Sequence, residues 1–317
     1  MKFLNTVLIA TAAALVAGCA VPPSRTYATV AAAPIAPASV THRFAVEVKD
    51  SAGRPVAGST VKFSPGKEST TKGEAKDCIA DAQGRCEYSV EAGRSPDYGR
   101  YVDSYSSMVE YRVEKSGFFL KTGKIFNGFG DKTSGTISPV KSSTMTIYTA
   151  DDYMADGFGS KPADRELREK AIRFLTLIRL QSLLNEAEVP LKAFNTSDFK
   201  GKRYFQLKLN STTQYNSLKL NKYDIGKQLF DESLRKVLSP LNDHISNPKA
   251  FYGYDMIING YSKSFTDKNA VAEKIEYRFL MPQDAVKRYK DKDISGQQLL
   301  DASVILMNDE RIDMKLQ

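Results

Sequence analysis

Phe44-Ala45-Val46-Glu47-Val48-Lys49-Asp50-Ser51-Ala52-Gly53 is the stretch on which the fold of the N-terminal half turns. Phe44, Val46 and Val48 alternate with Ala45, Glu47 and Lys49, the period of a strand with one buried face. Asp50 to Gly53 then supplies turn chemistry. The same grammar recurs outward. Pro55 to Gly58 leads into Val61 and Phe63, and Asp81-Ala82-Gln83-Gly84 turns into Cys86, Tyr88 and Val90. Tyr111 to Val113 and Met145 to Tyr148 read as further strands. Short strands separated by Gly and Asp turns predict an all-β, Ig-like sandwich over residues 42–150.

Beyond it the period changes. Ser160 and Pro162 suit a helix start, with Asp164 and Glu166 favourable to its dipole. Leu167, Ala171, Phe174, Leu175 and Ile178 share one helical face. Tyr204 to Leu209 reads as a strand, and Ile225 to Leu241 as a second amphipathic helix. Phe251 to Tyr261 and Lys274 to Leu280 read as strands. Ser295-Gly296-Gln297-Gln298 forms a capping box before Leu299-Leu300. Val304 to Met307 and Ile312 to Leu316 suggest a hairpin around Asn308-Asp309. Residues 160–317 are therefore expected to form an α+β domain, with helices on one face of a mainly antiparallel sheet. Residues 151–159 carry charge, two glycines and little to bury, and read as a hinge between independently folding parts.

Val46 to Asp50, Gly53 to Val61 and Asp81 to Arg85 together resemble the carboxypeptidase regulatory-like, or transthyretin-like, family of bacterial surface sandwiches. The resemblance covers about residues 42–92. It implies a spacer or binding module and transfers no catalytic residue.

The N-terminus carries a separate message. Lys2 is followed by an apolar run from Leu4 to Val16, too short for a spanning helix of about 20 residues. Residues 1–18 thus read as a secretory signal. Within Leu15-Val16-Ala17-Gly18-Cys19-Ala20, Val16 to Cys19 resembles the lipobox of bacterial lipoproteins, which implies cleavage after Gly18 and lipid on the Cys19 thiol. Several acyl chains anchor stably where one is marginal. Ala20 stands where an aspartate would favour the inner membrane, so the resemblance points to an outer membrane facing the periplasm. Residues 19–41 form an Ala- and Pro-rich tether with nothing to build a core.

Composition sets the remaining bounds. The chain has 317 residues and a formal charge of +8, spread without a dense basic block. In an exported protein this argues against nucleic acid. It suits an envelope protein, peptidoglycan or lipopolysaccharide as partner, beside the plainer reading of a solvated basic surface. Of the three cysteines, Cys78 and Cys86 are left as an even pair in an oxidising compartment. A disulfide beside the Asp81–Gly84 turn, a metal pair and two free thiols are all open, the metal pair being short of partners. No metal or cofactor is expected.

Candidate chemistry is sparse. Only His42 and His244 are available for a serine–histidine–acid site, and both read as structural or surface residues. Ser69-Thr70-Thr71-Lys72 and Lys121-Thr122-Gly123 match patterns of penicillin-interacting enzymes, but in strand-and-loop sequence rather than at a helix start. Asp151, Asp152 and Asp156 offer carboxylates for calcium without an EF-hand pattern, and an acidic hinge is the simpler reading. Phe251, Tyr252, Tyr254 and Tyr261 suggest either a sugar platform or alternating core packing. Tyr98, Tyr101 and Tyr105, in a Gly- and Tyr-rich stretch, are candidate binding residues or strand faces. The expected function is a non-enzymatic binding or scaffolding module of the envelope; the alternative is an envelope hydrolase with its site in residues 160–317.

Overall fold

The computed structural model describes residues 39–66, 71–93, 105–127, 137–180, 183–184 and 186–316. Cys19, the tether up to residue 38, Ser69, Tyr98 and Tyr101 lie outside the described residues. The chain is mostly β, with several sheets and a minority of helix. No described helix is long and apolar enough to cross a membrane.

The N-terminal part consists of β1 (Ser39–Lys49), β2 (Thr60–Pro65), β3 (Thr71–Lys72), β4 (Lys76–Ile79), β5 (Arg85–Gly93), β6 (Ser107–Glu114), β7 (Lys121–Asn127) and β8 (Ile137–Thr146). They form two four-stranded sheets, ordered β3-β5-β1-β8 and β4-β2-β6-β7. The strand period explains their contact. Phe44, Val46 and Val48 of β1 share one core with Val61 and Phe63 of β2 and with Tyr88, Val109, Tyr111 and Val113, all buried. The Phe63 ring stacks on Tyr88 with centroids 5.1 Å apart.

Two local features hold this arrangement. Gly84 has φ +73°, and a Cβ there would sit 2.4 Å from the Val48 carbonyl oxygen, so the Asp81–Gly84 turn requires glycine. Its own carbonyl accepts from Val48 N–H at 2.8 Å. Cys78 and Cys86 are joined as a disulfide, with Cα atoms 5.9 Å apart. Because β4 and β5 belong to different sheets, the bridge staples one sheet to the other rather than closing a hairpin.

The C-terminal part carries one seven-stranded sheet ordered β10-β11-β12-β13-β14-β15, with β9 also on β11. Its strands are β9 (Ala187–Glu188), β10 (Phe194–Phe199), β11 (Lys202–Asn216), β12 (Gly253–Lys263), β13 (Glu273–Pro282), β14 (Val304–Met307) and β15 (Glu310–Ile312). All pairings are antiparallel except β11 with β12. That parallel pair needs a crossover, which α2 (Lys222–Leu229), a π-turn (Phe230–Leu234) and α3 (Arg235–Ile245) provide. The second helix expected from the sequence is present and runs without interruption from Lys222 to Ile245, with the π-turn widening its middle. α1 (Pro162–Leu180), the crossover and the sheet residues Phe205, Leu207, Tyr254, Met256, Ile258 and Phe279 form one core. α4 (Gln283–Lys290) and α5 (Gly296–Asp301) complete it. The Ser295 capping box is present, and the last hairpin turns through Asn308 and Asp309 at φ 49° and 67°. Two successive positive φ values are what a tight hairpin demands. β15 ends at Ile312, short of the expected Leu316.

The expected hinge is different. Asp151–Tyr153 is a short 3-10 turn, and Tyr153, Met154 and Phe158 are buried in the C-terminal core. Ala155 N–H donates to the Phe194 carbonyl at 2.8 Å, tying the segment to β10. Its acids are spoken for: Asp151 pairs with Arg168, and Asp156 with Lys192. Burial alone would raise the Asp152 carboxyl, but hydrogen bonds from Ser51 and Thr149, with Lys192 nearby, hold it below the usual range. Glycines and charges suggested exposure, yet the apolar side chains between them are drawn in. Residues Ser39–Gln317 accordingly form one compact unit, though each part keeps its own core.

Burying a large apolar side chain stabilises by roughly 1.5 to 3 kcal/mol, so three amount to about 4 to 9 kcal/mol, most of a domain's typical stability of about 5 to 15 kcal/mol. A fragment spanning residues 150–317 should melt cooperatively, whereas 160–317 should not. Calorimetry of both fragments checks this; equal melting would show that the segment's burial contributes little.

Candidate functional site

The seam between the two parts is built from aromatic rings. Phe119 lies between β6 and β7, and its N–H donates to the Tyr148 carbonyl at 2.8 Å. Tyr153 meets Phe119 edge-on at 5.7 Å and Tyr148 at 6.2 Å between centroids. Arg179, in the last turn of α1, lies over Phe119 at 4.5 Å and donates to the Tyr153 hydroxyl at 2.9 Å. A guanidinium over a ring face is attracted by the ring quadrupole. Burial pushes the Tyr153 phenol up, and the nearby Arg179 charge partly offsets this.

Beside these rings opens a cleft of about 550 Å³. Lys121, Tyr148, Arg179, Glu188 and Leu191 line it together with Tyr153. Its charged lining is two cations, Lys121 and Arg179, and one carboxylate, Glu188, beside the rings of Tyr148 and Tyr153. The arrangement suits a bound group that is partly apolar and carries negative or hydrogen-bonding character. Neither Arg179 nor Lys121 stood out as a binding residue in the sequence. Arg179 reads as a helix-terminal charge, and Lys121 belongs to the Lys-Thr-Gly run, which here opens β7.

A second polar feature lies on the sheet face opposite the helices. Asp255 is fully buried there, one residue out of phase with the core-facing Tyr254 and Met256. It accepts from Arg278 Nε at 2.8 Å and a second Arg278 nitrogen at 2.7 Å, from Gln206 at 2.8 Å and from Ser197 at 2.5 Å. Three of these bonds reach one carboxylate oxygen and one reaches the other, so this is a hydrogen-bonded structural ion pair. A lone aspartate within the apolar run Tyr254 to Ile258 was the available signal. Tyr254 is buried and donates to Asn242, while Tyr252 is exposed, with the Lys202 ammonium 3.7 Å from its ring centre. Half of the suspected aromatic platform is therefore core.

The two histidines are not brought together. His42 points into the sandwich core, its Nδ1 2.6 Å from the buried Ser107 hydroxyl. His244 is exposed near the end of α3. Tyr105 is half-buried next to β6, and Tyr111 is a core residue whose hydroxyl meets that of Ser143 at 3.2 Å. No group of three or more His, Cys, Asp or Glu side chains suited to a metal occurs among the described residues.

No family model and no curated protein matches the chain. Among solved structures, 3-chlorocatechol 1,2-dioxygenase from Rhodococcus opacus 1CP is similar over 34% of this chain and 59% of its own, at 14% identity and a TM-score of 0.23. Chlorocatechol 1,2-dioxygenase from Pseudomonas putida is similar over 36% and 62%, at 14% identity and 0.24. The major pilin subunit of Bacillus cereus is similar over 34% and 28%, at 13% identity and 0.23. The chain spans less than two thirds of the length of each. Scores this low carry no argument about fold or chemistry.

Two outcomes are expected. Asp255→Ala should cost about 3 to 5 kcal/mol, because Arg278 is left as an uncompensated charge. Replacing both by leucine should recover much of it, as urea unfolding would measure. His42 is held below its ordinary value of 6.5 by burial. The unfolded chain therefore takes up the proton first as pH falls through about 6.5. Stability from this site is present above that pH and lost below it. Comparing urea midpoints at pH 7.5 and 5.5 should show a smaller loss for His42→Gln than for the native chain.

Proposed function

We propose that the mature chain is a lipid-anchored envelope protein that binds or scaffolds another envelope component without catalysing a reaction. The anchor is Cys19, the tether is residues 19–41, and the membrane is the outer membrane, with the folded part facing the periplasm. The two facing four-stranded sheets and the turns at Asp50–Gly53 and Asp81–Gly84 support reading residues 42–150 as a transthyretin-like module. The observation that carries the binding reading is the seam cleft. It is open, it gathers Lys121, Arg179 and exposed Leu191 around aromatic rings, and it draws on both parts of the chain. A site assembled from two parts is a natural place to hold a partner. The net charge of +8 favours anionic counterparts such as peptidoglycan, lipopolysaccharide or an acidic protein surface.

Two measurements test this. Metabolic labelling with a fatty acid should mark the native chain and not Cys19→Ser; equal labelling of both would refute the anchor. A photocrosslinking residue in place of Leu191, used in living cells, should give a discrete adduct. Lys121→Glu should weaken that adduct severalfold, the effect of reversing a charge at a rim. An adduct pattern indifferent to Lys121 would remove the cleft from the binding reading.

A further inference from the structure

Away from the seam, one end of the seven-stranded sheet holds apolar side chains out in water. β11 ends at Asn216, its parallel neighbour β12 ends at Lys263, and β13 starts at Glu273. Their register brings two loops together there: residues 217–221, which lead into α2, and residues 264–272, which join β12 to β13. Ser217 N–H donates to the Lys263 carbonyl at 3.0 Å, and Lys222 pairs with Glu273 at 2.6 Å, so the loops are tied to each other. Both are internally bonded. Asn216 accepts from Leu218 N–H through its side chain and from Lys219 and Leu220 N–H through its carbonyl. Asp267 accepts from Asn269 N–H through its side chain and from Ala270 N–H through its carbonyl. On these turns Leu218 is 66% exposed, Phe265 54% and Val271 90%, and Tyr223 in the first turn of α2 is 47% exposed. Apolar residues scattered singly over a surface are ordinary, whereas four gathered at one end mark a place that meets another phase or molecule.

The charge around them selects the partner. Residues 216–224 and 263–274 contain five lysines, three acids and no arginine. The acids are engaged: Glu273 with Lys222, Asp224 with Lys227, and Asp267 with its own turn. Lys274 pairs with Glu276. Lys219, Lys263 and Lys268 enter no ion pair among the described residues. Protein–protein interfaces favour arginine and are depleted in lysine. A lipid surface suits lysine, whose aliphatic stem lies along apolar material while its ammonium reaches the headgroups. Tyr223 adds an amphipathic ring of the kind enriched at membrane interfaces.

We propose that this end of the sheet is a docking surface for an anionic phospholipid bilayer. Leu218, Phe265 and Val271 enter the headgroup region, and Lys219, Lys263 and Lys268 meet lipid phosphates. A few apolar tips and three unpaired lysines give reversible binding, each lysine contributing roughly fivefold to partitioning. The attraction is electrostatic in part and is screened by salt. This surface is distinct from the seam cleft and is tested without lipid on Cys19, so it and the proposed function can fail separately.

The test uses residues 20–317, which contain the whole compact unit Ser39–Gln317 and lack Cys19. At low ionic strength the chain should sediment with vesicles of equal parts phosphatidylglycerol and phosphatidylcholine, and far less with phosphatidylcholine alone. Binding should fall as salt rises to about 1 M, where the Debye length is about 3 Å. Lys219→Gln/Lys268→Gln should lower partitioning roughly 25-fold, and Phe265→Asp/Val271→Asp at least severalfold. Lys200→Gln/Lys202→Gln, exposed at the β10–β11 turn on the other end of the sheet, should leave it unchanged. All these side chains are exposed, and an unchanged melting temperature checks that each variant folds. The chain has no tryptophan, so Phe265→Trp supplies a lone reporter whose emission should shift to shorter wavelength on binding. No sedimentation with the anionic vesicles would overturn the proposal, as would unshifted emission from the bound chain. An equal loss in Lys200→Gln/Lys202→Gln would also overturn it, leaving only the net charge at work. Self-association that Phe265→Asp/Val271→Asp removes, without vesicle binding, would assign the surface to a second copy instead.

Discussion

Arg179, held over the Phe119 ring and bonded to the Tyr153 hydroxyl, sits at the contact on which the arrangement of the chain depends. It joins an aromatic residue of the sandwich to one in the segment leading into α1. Without the burial of Tyr153, Met154 and Phe158, the two parts would be linked only by an acidic, glycine-containing strand of backbone. With it, the linker is an internal piece of the larger core. Lys121 and Arg179 then line one cleft, although one belongs to β7 and the other to α1.

The sandwich and the sheet solve the same problem in different ways. In the sandwich, two modest sheets cover each other, and the Cys78–Cys86 bridge prevents them from parting. In the C-terminal part, one wide sheet is covered on a single face by helices. Its other face carries a small apolar cluster of Tyr204, Leu280 and Leu306 beside the polar group around Asp255. A carboxylate at zero exposure is tolerable there because Arg278, Gln206 and Ser197 donate to it. Such a group adds little net stability but links the register of four adjacent strands, β10 to β13, since a one-residue slip would strand the charge.

The polar groups of the described residues divide on this basis. His42 with Ser107, and Asp255 with Arg278, are paired and buried, and they serve the fold. The seam cleft is different: Lys121, Arg179 and Glu188 line an open space beside Tyr148 and Tyr153, the kind of lining that can receive another molecule.

Strand and helix periods, the turn at Asp81–Gly84, the Asn308-Asp309 hairpin and the Ser295 capping box are local. They follow from side-chain spacing and backbone preference within a few residues, so the sequence alone determined them and the order of the sandwich and the α+β part with them. The signal and lipobox expected from residues 1–19 are readings of the same local kind, made from linear motifs. The rest depends on long-range register. Whether Phe158 meets Phe205, whether β4 and β5 share a sheet, and whether β11 pairs with β12 in parallel are decided by pieces far apart in sequence. The presence of Lys121 and Arg179 in the lining of one cleft is decided in the same way. A charge or glycine in the 151–159 segment reports only its local preference for water or a turn. The competing gain from burying three neighbouring side chains exists only once the core that receives them has formed, so only the tertiary structure could decide it.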